Sequence, residues 1–216
     1  MLIVAAILFF GLGLGYLSIS RDPLRSYKSK RDFKNSPEPQ GNSMAQKHNK
    51  KPIFVIQKHD ASHLHYDFRL EIDGVLKSWA IPKGPSTDPT EKRLAIETED
   101  HPMEYATFEG VIPEKHYGAG PVIVWDTGTF DTIKEKDGTI TSLSQSYKNG
   151  QIEVNLHGKK LNGGYALIRT AMDGDKKQWL LIKMHDEYAD ARRNPVSTQP
   201  ESVLSGKTIE EIAKNK

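Results

Sequence analysis

The chain of 216 residues contains no cysteine. That excludes a disulfide framework, a thiol nucleophile and thiolate zinc sites, so any bound metal must take its ligands from histidine, aspartate or glutamate. An excess of either charge is also missing. With 30 basic residues against 28 acidic ones the formal net charge is +2, too balanced for bulk charge to announce a nucleic-acid binder, and only a local basic face remains open. Internal repeats are absent and helical periodicity is scarce. What is present is the composition of an ordinary globular domain, 37% hydrophobic and 27% charged. The length suits one domain of roughly 150 residues with a tail at each end.

One long apolar run exists. Leu2–Ser20 is uncharged and near the length of about 20 residues that a membrane-spanning helix requires. Basic residues follow it (Arg21, Arg25, Lys28, Lys30, Arg31) and none precede it, which argues against a cleaved secretory signal and places the domain on the cytoplasmic side of any anchor. The alternative is an upstream start codon adding a stretch that the working protein never uses. Residues 1–20 are therefore read as a leader, with membrane contact only through it and a cytoplasmic location for the rest.

Residues 21–51, rich in Lys, Asn, Ser and Pro, read as an extended basic arm packing on the domain. Strand-like segments then recur across 52–188: Ile53–Gln57, His65–Ile72, Val75–Ile81, Leu94–Thr98, Val122–Asp126, Ile152–Leu156, Tyr165–Arg169 and Gln178–Met184. Asp73-Gly74 between two of them is a strong hairpin signal, because both residues tolerate positive φ. Many short strands favour a mainly β fold, an antiparallel barrel or sandwich. Only the C-terminal tail, 189–216, looks helical, with Thr208 and Glu211 in a capping-box pattern that opens a short helix to about Lys214.

The chemistry concentrates in Gln57–Glu71. Alternation along a strand puts His65, Asp67, Arg69 and Glu71 on one face and Tyr66, Phe68, Leu70 and Ile72 on the other. An imidazole beside a carboxylate suits a divalent transition metal such as manganese, and His59, six residues earlier, is placed to supply a third ligand. A lone His-x-Asp pair is ordinarily a wetted polar face; here Arg69, whose fork of donors suits phosphate oxygens, lies on the same side. In Glu99-Asp100-His101-Pro102, a loop can carry His101 toward the metal, where an imidazole can protonate a leaving oxygen or bind phosphate as a cation. Lys83 and Arg93 are further candidate phosphate contacts.

At these residues the chain resembles the 3′-phosphoesterase module of DNA ligase D and its stand-alone relatives. The likeness runs through Phe54-Val55-Ile56-Gln57-Lys58-His59, Leu64-His65-Tyr66-Asp67-Phe68-Arg69-Leu70 and Leu76-Lys77-Ser78-Trp79-Ala80-Ile81-Pro82-Lys83-Gly84-Pro85, then Asp100-His101-Pro102, Phe108-Glu109-Gly110-Val111-Ile112-Pro113 and Tyr117-Gly118-Ala119-Gly120. The resemblance implies a compact β-barrel, one Mn2+ held by His59, His65 and Asp67, and removal of a 3′-terminal ribonucleotide and then a 3′-phosphate from primer strands. It implies that Arg69 and His101 contact the scissile phosphate, that Lys83 and Arg93 assist phosphate removal, that Tyr105 belongs to the site, and that Arg31, Asp32, Glu38, Gln57 and Glu99 support it. Lys115-His116 departs from the Gly-Glu usual before Tyr117, and the apolar leader has no counterpart.

Implied partners are DNA or RNA/DNA primer-template 3′ ends and a separate ligase and polymerase of end joining, since the chain lacks the Lys-x-Asp-Gly adenylation string. Two rivals compete: a non-catalytic end-binding subunit, and an iron oxygenase or cupin ligated by His65, Asp67 and His101 or His116. On this reading Arg69→Ala lowers turnover and leaves the fold intact.

Overall fold

The computed structural model describes residues 22–41, 51–170 and 177–214. The apolar leader and the later part of the arm lie outside them. Among the described residues no helix is long and apolar enough to cross a membrane.

Asp73 and Gly74 adopt φ of 52° and 81°, the left-handed pair of a two-residue hairpin turn that matches strand twist. The turn joins β2 (Leu64–Ile72) to β3 (Val75–Ile81) and sets their register, Ile72 opposite Val75 and Arg69 opposite Ser78. Upstream, β1 (Ile53–Asp60) pairs with β2, and downstream β4 (Lys92–Glu97) follows β3. A short β5 (Gly110–Ile112) edges the long β6 (Gly120–Thr132), and β7 (Glu135–Lys136) with β8 (Thr139–Ile140) makes a small separate hairpin. Then come β9 (Gln151–Gly158), β10 (Asn162–Arg169) and β11 (Gln178–Lys183). The sheet runs β1-β2-β3-β4-β11-β10-β9-β6, and β6 returns to pair with β1. Eight antiparallel strands thus close a barrel, which removes exposed edges.

β6 extends six residues beyond the expected end at Asp126. Gly128 lies where β6 passes from β1 to β9, opposite Gly158. Helix is also present outside the C-terminus: α1 (Arg25–Ser29) in the arm, a 3-10 turn at Met103–Thr107, α2 (Leu143–Asn149) and α3 (Pro195–Thr198). Each is too short to show a 3.6-residue period. The final helix α4 (Ile209–Ala213) does carry the reciprocal Thr208–Glu211 capping box.

Alternate residues fill the barrel, among them Phe54, Ile56, Phe68, Leu70, Trp79, Trp125 and Trp179. The other face of β1 to β3 is also covered. Val55, Leu76, Val122 and Val124 pack beneath Tyr27, Tyr105 and Phe108, and the Tyr27 hydroxyl donates to the Pro39 carbonyl at 2.6 Å, fastening the arm's turn. The polar side chains on this outer wall, including Gln57, His59, Asp67 and Arg69, are consequently buried.

Asp126 locks the β9–β10 connection. Its carboxylate accepts the backbone N–H groups of Lys159 and Lys160 at 3.0 Å each and of Leu161 at 2.8 Å. Asp126→Ala is expected to orphan three amides and to destabilise the fold by about 3 kcal/mol or more. Urea unfolding reads this directly, and an unchanged midpoint would refute it.

Candidate metal centre

β1 and β2 bring the ligand types together by register: His59 lies opposite His65, and Gln57 opposite Asp67. Ala80 lies opposite Asp67 on the other side, and its small side chain keeps the space over the carboxylate open. His59, His65 and Asp67 offer ligand atoms that all lie within 4.8 Å of one another. A group of this kind could hold a metal ion.

The imidazoles are oriented for it. His59 Nε2–H donates to the Gly118 carbonyl at 2.8 Å, and His65 Nδ1–H donates to the His63 carbonyl at 2.8 Å. A carbonyl only accepts, so each neutral ring keeps its lone pair on the opposite nitrogen. Those nitrogens, His59 Nδ1 and His65 Nε2, lie 3.5 and 3.7 Å from the same Asp67 Oδ2. Backbone carbonyls that fix the tautomer in this way are the usual outer support of metal-binding histidines. Burial raises the Asp67 carboxyl pKa, but the Arg69 guanidinium leads the opposing influences and the carboxyl is held well below the usual carboxylate range. At His65 burial disfavours the charge, Asp67 overrides it, and the net shift is upward.

Arg69 sits beside this group with every arm of its guanidinium engaged. Nε donates to Gln57 Oε1 at 2.8 Å and Nη1 to Ser78 Oγ at 2.9 Å, while Nη2 lies 3.1 Å from Asp67 Oδ2. Gln57 is itself fixed, because its Nε2 donates to the Tyr105 and Phe108 carbonyls and so turns its oxygen toward Arg69. The backbone of His101 exchanges two hydrogen bonds with Leu76, at 2.9 and 3.0 Å, which pins the loop to β3. Its ring lies between two guanidiniums: Arg69 Nη1 is 2.9 Å from Nδ1 and Arg31 Nη2 is 3.3 Å from Nε2. Burial and the two arginines hold the His101 imidazole well below its ordinary pKa. Without a bound anion it is therefore neutral near pH 7, not the cation that the sequence allows.

The arm supplies the outer support. Arg31 lies over the Tyr27 ring and donates to Glu38 at 2.8 Å and Glu99 at 3.0 Å. Tyr105 hydroxyl donates to the same Glu38 oxygen at 3.0 Å. His59, His65, Asp67, Arg69, His101, Tyr105, Arg31 and Glu99 all line one pocket of about 210 Å³. Gln57 and Glu38 stand behind its wall. Asp32 does not enter: its carboxylate caps its own turn through the Lys34 N–H and the Asn35 amide. Lys83 and Arg93 line a separate cavity of about 310 Å³ with Lys92 and Leu94, where Arg93 pairs with Glu91.

Four participants carried no role in the sequence reading: Ser78, Lys30, Tyr117 and Gly118. Ser78 was legible, since a two-residue turn at Asp73-Gly74 counts back to put it opposite Arg69. Lys30 donates to Glu99 at 2.9 Å and lies 4.4 Å from the centre of the Tyr117 ring at the pocket rim, contacts across long sequence distances that no local pattern announces. Lys115 takes a φ of 69°, which accounts physically for the glycine usual there. The rival oxygenase ligand set is not assembled: among the described residues the group that comes together is His59, His65 and Asp67, without His101 or His116.

Known proteins resemble this chain over most of its length. Residues 57–169 match the family model described as the DNA ligase D 3′-phosphoesterase domain. The chain is 46% identical over 192 residues to the multifunctional non-homologous end joining protein LigD of Pseudomonas aeruginosa, covering 88% of this chain and 22% of that protein. To the multifunctional non-homologous end joining DNA repair protein LigD of Mycobacterium tuberculosis it is 47% identical over 172 residues, covering 77% and 20%. To the LigD protein of Mycolicibacterium smegmatis it is 44% identical over 167 residues, covering 77% and 21%. The chain thus spans about a fifth of the length of these relatives. The family match begins at Gln57, in β1, and takes in every strand that carries the metal group, and by it the chain belongs to the DNA ligase D 3′-phosphoesterase domain family.

Proposed function

We propose that this chain is a manganese-dependent 3′-end-processing phosphoesterase, which removes 3′-terminal ribonucleotides and then 3′-phosphates from DNA primer strands and leaves 3′-hydroxyl ends for ligation. The observation that carries it is the convergence of two imidazoles and a carboxylate beside the Arg69 guanidinium. His59, His65 and Asp67 would hold one Mn2+, which when bound supplies a Lewis acid for phosphate oxygens and an activated water. Arg69 presents fixed donors where negative charge develops on the phosphate, at no reorganisation cost. His101, held neutral between two guanidiniums, regains proton affinity when an anionic phosphate enters, which suits it to hold a proton for the leaving oxygen. Tyr105, Arg31, Glu38, Glu99 and Gln57 position these groups, and Asp32 shapes the arm's turn. Lys83 and Arg93, which line a separate cavity, are assigned to the phosphate-removal step by the family resemblance alone.

A ligase and a polymerase of end joining are its proposed partners, supported by relatives named as multifunctional end-joining proteins. The same reading takes the cytoplasm as its place of work and 52–188 as the barrel domain.

The test is one gel. The full chain is incubated with end-labelled primer-templates that end in a ribonucleotide or a 3′-phosphate, with Mn2+ or with a chelator. Manganese-dependent shortening and dephosphorylation are expected. Retention of the labelled strand by binding, with neither change, would instead make the protein a non-catalytic end clamp.

A further inference from the structure

Beside the metal pocket runs a second cavity of about 650 Å³, walled by Ala61, Val111, Ile112, Pro113, Ala119 and Pro121. Its volume falls within the range of about 300–1,000 Å³ that holds small organic ligands. Ala61 and Ile112 also line the metal pocket, so the two cavities lie side by side and share a wall. At its floor Gly120, with φ of 137°, presses on the β1–β2 turn so closely that a Cβ there would meet the Asp60 carbonyl oxygen at 2.1 Å. No lysine or arginine lines this groove, and its two charged lining residues, Asp60 and Glu114, are acidic. Lys30, Arg31 and Arg69 all lie on the metal side of the shared wall.

We infer that this groove receives the 3′-terminal nucleoside released in the first step, with the base against Val111, Ile112 and Pro113 and the phosphate at the metal group. The inference rests on the proposed phosphoesterase activity. Removal in two steps requires that water add its oxygen to phosphorus while the bond to the 5′-oxygen of the terminal nucleoside breaks. That oxygen takes a proton, the nucleoside departs, and the phosphate stays on the strand for the second hydrolysis. The departing group is thus uncharged and carries a flat base, and it must lie beyond the phosphate, away from the rest of the strand. A groove that turns from cationic to apolar and acidic matches this change: its acidic lining repels a phosphodiester backbone and tolerates an uncharged group. In the second step no nucleoside is present, and the groove has nothing to hold.

The two steps therefore separate. Ala119→Phe fills the groove from a position outside the metal pocket's lining, and it is expected to raise KM for a ribonucleotide-ended primer at least about tenfold while removal of a 3′-phosphate stays within about twofold. No change, or a greater loss of phosphate removal than of ribonucleotide removal, would overturn the inference. If the variant fails to fold, the unaltered protein decides: a primer ending in a baseless ribose should show a KM at least about tenfold above that of one ending in a complete ribonucleotide, and equal KM values would overturn it. Absence of turnover on both ends by the unaltered protein would be a different failure, that of the proposed function itself.

Discussion

His65→Ala is expected to weaken Mn2+ binding and to lower manganese-dependent turnover by more than about a hundredfold, because loss of a ligand exceeds the 10- to 100-fold cost of losing its outer support. The site's layout makes this substitution informative. His65 is the most accessible of the three ligands, with 21% of its side chain exposed against 9% for His59 and 8% for Asp67. Its one hydrogen bond outside the metal group goes to a backbone carbonyl on the exposed turn. Truncation therefore leaves no deeply buried donor unpaired, and the melting temperature should shift little. Metal affinity measured by calorimetry and turnover measured on the labelled primers should fall together. The raised pKa of His65 adds a signature: a metal ligand must be deprotonated, so protons compete with the metal from a higher pH than at an ordinary imidazole, and affinity in the unaltered protein should rise with pH through that range. An alanine variant that binds Mn2+ and turns over normally would remove His65 from the group and with it the proposed chemistry.

The alternation of β2 was legible because a strand's period of two is local: it separates His65, Asp67 and Arg69 from Tyr66, Phe68 and Leu70 without knowledge of the rest of the chain. The hairpin was legible for the same reason. What escaped was what lies over the outward face. Alternation says that a face is polar, not that a second apolar layer of Tyr27, Tyr105 and Phe108 buries it, and that layer turns a row of wetted side chains into a site with shifted pKa values. Arg31 belongs to the pocket through Glu99 and Glu38, yet its position depends on a one-turn helix in a segment whose composition reads as extended. Lys83 follows β3 and Arg93 lies on β4, close in sequence to pocket residues, but both line a separate cavity.

Arg69→Ala should lower kcat by about 10²- to 10³-fold, the scale of removing one preorganised donor from developing charge, but it cannot leave the fold untouched. Arg69 is 3% exposed and engages Gln57, Ser78, His101 and Asp67. Truncation strands the Asp67 carboxylate in a buried place, and breaking a buried pair from one side costs about 3–5 kcal/mol. A fall in activity of the alanine variant alone is therefore ambiguous between chemistry and stability. Arg69→Lys resolves it. Lysine keeps a cation near Asp67 but lacks the planar fork that reaches Gln57, Ser78 and a phosphate oxygen at once. Most of the unfolding free energy should return while kcat stays down by at least about tenfold with KM little changed, the pattern of an interaction made only in the transition state. Chemical denaturation and primer kinetics on the same preparation give both numbers. Should lysine restore kcat in full, a point charge suffices and the directed donors of Arg69 are not what lowers the barrier.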